Sequence, residues 1–196
     1  MRVGVEARVS RTGHTSLDGT FLAWENPPDG AATGGDYPFA FDCPEAATHL
    51  DLPLPVAVEA QVAAFAQQVS LFESPAAHDA SQAAQGLTSS SQSFIPSGLF
   101  SPSGEPVTPP EAHALIAGHV LEAAERRNSI TGTAYWWALI ETVGGTFDAV
   151  IDPELLSTEP RPGNVVSGWF WLSGRLRVRY DRPTGTSGWL KWLVRR

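Results

Sequence analysis

At 196 residues and 42% hydrophobic, the chain can bury one good core, or a core and a smaller satellite, and its hydrophobicity is well above the disordered class. The lone Cys43 excludes an intramolecular disulfide, "MRVGVEARVS" lacks the apolar stretch of a signal peptide, and no apolar run reaches the roughly 18 residues that a membrane helix needs, so a cytoplasmic protein without membrane contact is expected. The net charge of −8 is uneven: residues 1–110 carry three arginines against twelve acids, whereas residues 175–196 carry seven basic residues against one acid. Global acidity argues against indiscriminate nucleic-acid binding while leaving a basic C-terminal end.

Along the chain, "RVGVEARVS", "TFLAW" and "YPFAFD" alternate or carry β-formers and read as short strands, with "ENPPDGAATGGDYP" a loop between the second and third. The run "VAVEAQVAAFAQQVSLF" fits two periods. Val58, Val62, Phe65, Val69 and Phe72 make a helical stripe, and Val56, Val58, Ala60, Val62 and Ala64 a strand face; a strand passing into a helix is expected. Ser74-Pro75 then starts a short helix, serine capping and proline leading. Residues 86–110 are rich in proline, glycine and serine and read as a linker between an acidic β-containing region (1–85) and a second unit (111–196).

In that unit "HALIAGHVLEAAE" is a candidate strand bent at Gly118, and "AYWWALIET" and "TFDAVID" form a hairpin turning at Gly144-Gly145. "DPELL" makes one helical turn, with Asp152 as cap, before the long strand "GNVVSGWFWLSGRLRVRY". The order strand, strand, strand, short helix, strand, strand, together with the G-x-V-x-x-G start of the fourth strand, resembles the OB-type small β-barrel over about residues 111–180. The fold class expected is therefore α+β, mainly β: an OB-like barrel with an N-terminal β-containing region packed on it. The matched apolar parity of the hairpin and the fourth strand puts Ile140, Phe147, Phe170 and Leu172 inside that barrel as an expectation. One lysine beside twelve arginines is the usage of a GC-rich bacterial genome.

Side chains alternate across a strand, so faces follow parity. On the long strand Val166, Phe170, Leu172, Leu176, Val178 and Tyr180 share a core face with Gly168 and Gly174, glycines that let the strand coil or bulge. Trp169, Trp171, Arg175, Arg177 and Arg179 share the other face. Tyr135 and Trp137 join them if the register allows. Indole faces supply stacking and guanidinium groups supply charge, which suits an anionic ligand or an acidic protein surface, this chain's own N-terminal half included. Single-stranded nucleic acid is a further candidate, disfavoured by the −9 of residues 1–110. The plainer reading of the same face is packing or a solvated edge.

A Gly144-Gly145 turn sets Glu141 opposite Asp148, two carboxylates about 5 Å apart. The alternative function is thus a small cofactor-free enzyme with Glu141 and Asp148 as acid and base in a tryptophan-lined pocket. His113 and His119 share a strand face, but six residues span about 20 Å, too far for one metal. Phosphate-loop, dinucleotide, zincin, nucleophile-elbow and C-x-x-C motifs are absent, and no cofactor is expected. A non-catalytic binding protein is the leading expectation.

Overall fold

The computed structural model describes residues 1–9, 19–99 and 110–178. Among these residues nine strands form one sheet: β1 (Arg2–Val9), β2 (Gly19–Glu25), β3 (Pro38–Cys43), β4 (Val56–Phe72), β5 (Ser93–Pro96), β6 (His113–Arg127), β7 (Ala134–Thr142), β8 (Gly145–Ile151) and β9 (Val165–Arg177). Among the described residues one α-helix, α1 (Pro75–Ala84), starts as its sequence implies, the Ser74 hydroxyl accepting from the Ala77 N–H at 3.2 Å. Asp152 likewise caps the 3-10 turn Pro153–Leu155, accepting from the Glu154 N–H. Among the described residues no helix is long and apolar enough to cross a membrane.

The helical half expected of residues 56–72 does not form. Seventeen residues run as a single strand, because β9 pairs antiparallel along one edge from Glu59–Arg177 to Phe72–Val165. The other edge takes β1 at residues 56–59 and β8 at residues 63–65. With backbone partners on both sides, alternation prevails over the helical stripe, and Ala60, Val62 and Ala64 are buried. Irregularities also differ from expectation. β9 keeps one register through Gly168 and Gly174 while its partner β4 bulges between Ala66 and Gln68, and β6 shifts between Val120 and Glu122 rather than at Gly118.

Nor do the strands of residues 111–178 close on themselves. β4, from before residue 86, lies between β8 and β9, and part of the stretch read as linker forms β5 on the edge of β6. The pairings make two five-stranded circuits, β1-β2-β3-β9-β4 and β6-β7-β8-β4-β9, which share the β4–β9 ladder; the outer path around both is a ring of eight strands.

These circuits correspond pair by pair. Arg2–Glu59, Val3–Val58, Gly4–Ala57 and Val5–Val56 in β1–β4 match Leu115–Trp169, Ile116–Gly168, Ala117–Ser167 and Gly118–Val166 in β6–β9. Thr20–Asp42 matches Leu139–Asp148, and the parallel pair Asp42–Ser173 matches Asp148–Ala63. A pseudo-twofold axis therefore runs through the Ala63–Ser173 pair. Each half is three strands, a 3-10 turn and a fourth strand, and each fourth strand also serves as the fifth strand of the other circuit.

One apolar core spans both circuits. Ile140, Phe147, Phe170 and Leu172 are buried as expected. Phe94 links the two sides, stacked on Phe147 at 5.1 Å and edge-on to Phe39 at 6.0 Å. Where the ladder narrows at the bulge, a Cβ on Gly168 would collide with the Gln68 carbonyl oxygen and lie 2.7 Å from the Val69 Cα. Both obstacles are backbone, so Gly168→Ala is expected to lose about 2–3 kcal/mol in urea denaturation. Ser167→Ala, beside it on the outward face, should stay within about 0.5 kcal/mol of the parent.

Candidate functional site

The outward face of β9 presents Trp169, Trp171, Ser173, Arg175 and Arg177 in that order, the parity expected of them. Arg179 lies outside the described residues. Across the ladder these residues face Gln68, Phe65, Ala63, Gln61 and Glu59 of β4. Trp169 lies parallel to the imidazole of His113, ring centroids 6.1 Å apart. Trp171 sits 5.2 Å from the Phe65 ring, and its indole N–H donates to Asp42 Oδ2 at 2.8 Å. The second Asp42 oxygen accepts from the Thr20 hydroxyl, and the Ser173 hydroxyl reaches the Asp42 carbonyl at 3.3 Å. The acidic N-terminal half thus meets the tryptophan face through two strand neighbours, β3 and β4.

The two arginines converge on a neutral group. Arg175 donates from Nε and Nη2 to Gln61 Oε1 at 3.2 and 2.8 Å, and Arg177 Nη2 donates to the same oxygen at 3.4 Å. Both are exposed, and neither forms an ion pair among the described residues. Beside them a cavity of about 310 Å³ is lined by Pro44, Glu45, Gln61, Ala63, Phe65, Ser173, Gly174 and Arg175.

Tyr135 and Trp137 do not adjoin this cluster. β7 is separated from β9 by β6 on one side and by β8 and β4 on the other. Tyr135 stands opposite Arg126. The Trp137 N–H donates to Asp148 Oδ1 at 2.8 Å, and the Arg126 guanidinium lies 3.9 Å above its ring. Trp137 nevertheless shares a lateral row with Trp171: Trp137, Val150, Phe65, Trp171 and His113 are successive partners across β7, β8, β4, β9 and β6.

The expected confrontation of Glu141 with Asp148 is overturned. Leu139 faces Asp148, and Glu141 faces Thr146 and His119. The hairpin turns at Val143-Gly144, one residue earlier than expected. Thr142 Oγ1 pins it there, accepting from the Gly144 N–H and donating to the Gly145 carbonyl, both at 2.9 Å. Gly144 also lies against the Phe94 ring, with no room for a side chain, while Gly145 takes φ +94° as the first residue of β8. Glu141 then accepts from the Gln92 amide at 2.9 Å, and the Ser91 hydroxyl stands 3.0 Å from His119 Nε2.

Sequence reading missed Asp42, Gln61, Phe65, Arg126 and Ser91. Asp42 had one local signal, an acid between the buried Phe41 and Cys43 on the outward parity of its strand. The others depend on pairings between segments far apart in the chain. Burial pushes the Cys43 thiol up, so it acts as a small apolar core group. Among the described residues no three His, Cys, Asp or Glu side chains gather as metal ligands.

Asp42 anchors both Thr20 and Trp171. Asp42→Ala should therefore cost about 1–3 kcal/mol in chemical denaturation, the penalty for stranding partly buried donors, and should red-shift tryptophan emission. A loss below about 0.5 kcal/mol would mean that water satisfies both donors equally well.

No protein-family model matches the chain, and neither a search of curated proteins nor one of solved structures found a similar one.

Proposed function

We propose that the protein is a non-catalytic binding protein that holds an anionic partner on the outward face of the β4–β9 ladder. The observation that carries this reading is the Arg175–Gln61–Arg177 arrangement: two exposed guanidinium groups share one neutral acceptor, next to the Trp171–Phe65 aromatic pair. A carboxylate or phosphate gains charge-assisted hydrogen bonds from the arginines, and an apolar or planar group beside it packs on Phe65 and Trp171. The indole of Trp171 is already fixed through Asp42, so its ring pays little ordering entropy on binding. Asp42, Glu45 and Glu59 flank the face and weigh against a long polyphosphate, so an acidic protein segment is placed ahead of single-stranded nucleic acid. The Glu141 and Asp148 pairing that an enzyme reading needs lacks the required register.

As part of the same reading, each five-stranded circuit is assigned to the OB type. The support is connectivity: a three-stranded meander, a 3-10 turn, a fourth strand antiparallel to the first and a fifth parallel to the third, with that fifth strand taken from the other half.

The test is a titration of labelled Glu-rich peptides containing one aromatic residue, and of labelled single-stranded DNA, at low and physiological salt. Peptide binding is expected, weakened at least tenfold by Arg175→Ala/Arg177→Ala. Binding of DNA instead, with a log-log salt slope of roughly −1.4 for two phosphate contacts, would move the partner class to nucleic acid. No binding of either at low salt would reject the reading.

A further inference from the structure

The pseudo-twofold relation makes Asp42 and Asp148 equivalent, along with their surroundings. Thr20 of β2 corresponds to Leu139 of β7, and Trp171 of β9 corresponds to Gln61 of β4, each two positions from the axis pair Ala63–Ser173. In the first copy the aspartate is fully engaged: one oxygen takes the Thr20 hydroxyl, and the other takes the Trp171 indole N–H at 2.8 Å. An indole from the shared ladder therefore covers the Asp42 side of the molecule.

The second copy has the same carboxylate without that indole. Gln61 stands where the tryptophan would be, and its side-chain oxygen is turned to Arg175 and Arg177. Leu139 replaces the threonine and offers apolar surface instead of a hydroxyl. The result is a cavity of about 310 Å³ bounded by Asp148, Leu139, Gln61, Val62, Glu59 and Arg177, among others. It lies at the edge of β4 between its pairings with β1 and β8, where the two circuits part. Asp148 Oδ1 accepts from the Trp137 N–H, and Oδ2 has no partner among the described residues.

We propose that this cleft is a binding site for a small planar molecule with a ring N–H donor, of the indole class, which donates to Asp148 as Trp171 donates to Asp42. Three features favour that chemistry. The acceptor is a carboxylate fixed from one side by Trp137, so its remaining oxygen is presented in a set direction. Leu139 supplies an apolar wall for a flat ring. Glu59 at the rim already has the N-terminal ammonium of Met1 4.0 Å away, which leaves the Asp148 oxygen as the acceptor for a donor in the cleft. The volume suits a fragment of about ten heavy atoms, at the small end of ligand pockets. This site borders the anionic-partner face and shares Gln61 and Arg177 with it, but it does not rest on that reading, and the neutral probe used to test it keeps the two separable.

The experiment is isothermal titration calorimetry, backed by saturation-transfer NMR, of the full chain with indole and with 1-methylindole, which lacks the N–H. Indole should bind with a dissociation constant between roughly 0.1 and 5 mM, given the ceiling on energy per ligand atom. 1-Methylindole should bind at least tenfold more weakly. Gln61→Trp rebuilds the first copy's arrangement and should abolish indole binding while leaving the far-ultraviolet circular dichroism unchanged. Asp148→Ala should weaken indole at least tenfold, and Trp171→Gln should raise the stoichiometry from one to two by opening the Asp42 copy. If Gln61→Trp fails to fold, the other two variants decide. No indole binding by the parent up to 5 mM, equal binding of the methylated probe, or indole binding unchanged in Gln61→Trp or in Asp148→Ala would each overturn the proposal.

Discussion

The ladder between β4 and β9 is the interaction on which the rest of the molecule depends. It joins residues 93 to 118 positions apart, and each of its strands closes a circuit begun by the other half of the chain. The inward side chains of the ladder, Ala60, Val62, Phe170 and Leu172 among them, are buried in a core common to both circuits. Emptying a site such as Phe170 typically costs 3–5 kcal/mol against a whole-domain stability of about 5–15 kcal/mol. Energy on that scale ties the halves together, since neither retains a closed circuit once the ladder is lost.

The same ladder organises the chemistry. Its outward side brings Trp171 beside Phe65, sets Arg175 and Arg177 on one amide of Gln61, and aligns two equivalent aspartates along the row Asp42, Ser173, Ala63, Asp148. Because the halves share one architecture but not one sequence, equivalent positions carry different groups. A tryptophan closes over one aspartate and a glutamine leaves the other bordering a cleft.

Much of the strand content was legible in the sequence because parity is local. The faces of β9, the caps at Ser74 and Asp152, and the burial of Ile140, Phe147, Phe170 and Leu172 follow from alternation and turn chemistry. What failed was everything set by distant partners. Residues 56–72 satisfy a helical stripe and a strand face equally well, and only the partner β9 decides between them. The Glu141–Asp148 pairing turned on one residue of hairpin register, fixed by Thr142 Oγ1 and by Phe94 from another strand. The pseudo-twofold relation was hidden for a similar reason. Phe41-Asp42 and Phe147-Asp148 match, but most equivalent positions, such as Gln61 and Trp171, differ in size and polarity, and the repeat is visible only in the pairings. Of the outward face of the ladder, Trp169, Trp171, Arg175 and Arg177 were found by parity, whereas Gln61, Phe65 and Asp42 required the pairings.

The measurement closest to the central claim is native-state amide hydrogen exchange across a denaturant series. If the halves are interlocked through β4 and β9, buried amides of β2 and β3 and those of β7 and β8 should merge onto a single opening free energy, equal to the global value and shared by Ala60–Ala66 and Phe170–Gly174. Two separate limiting free energies, one for the strands before residue 86 and one for those after residue 110, differing by more than about 2 kcal/mol, would contradict it and describe two units that unfold independently.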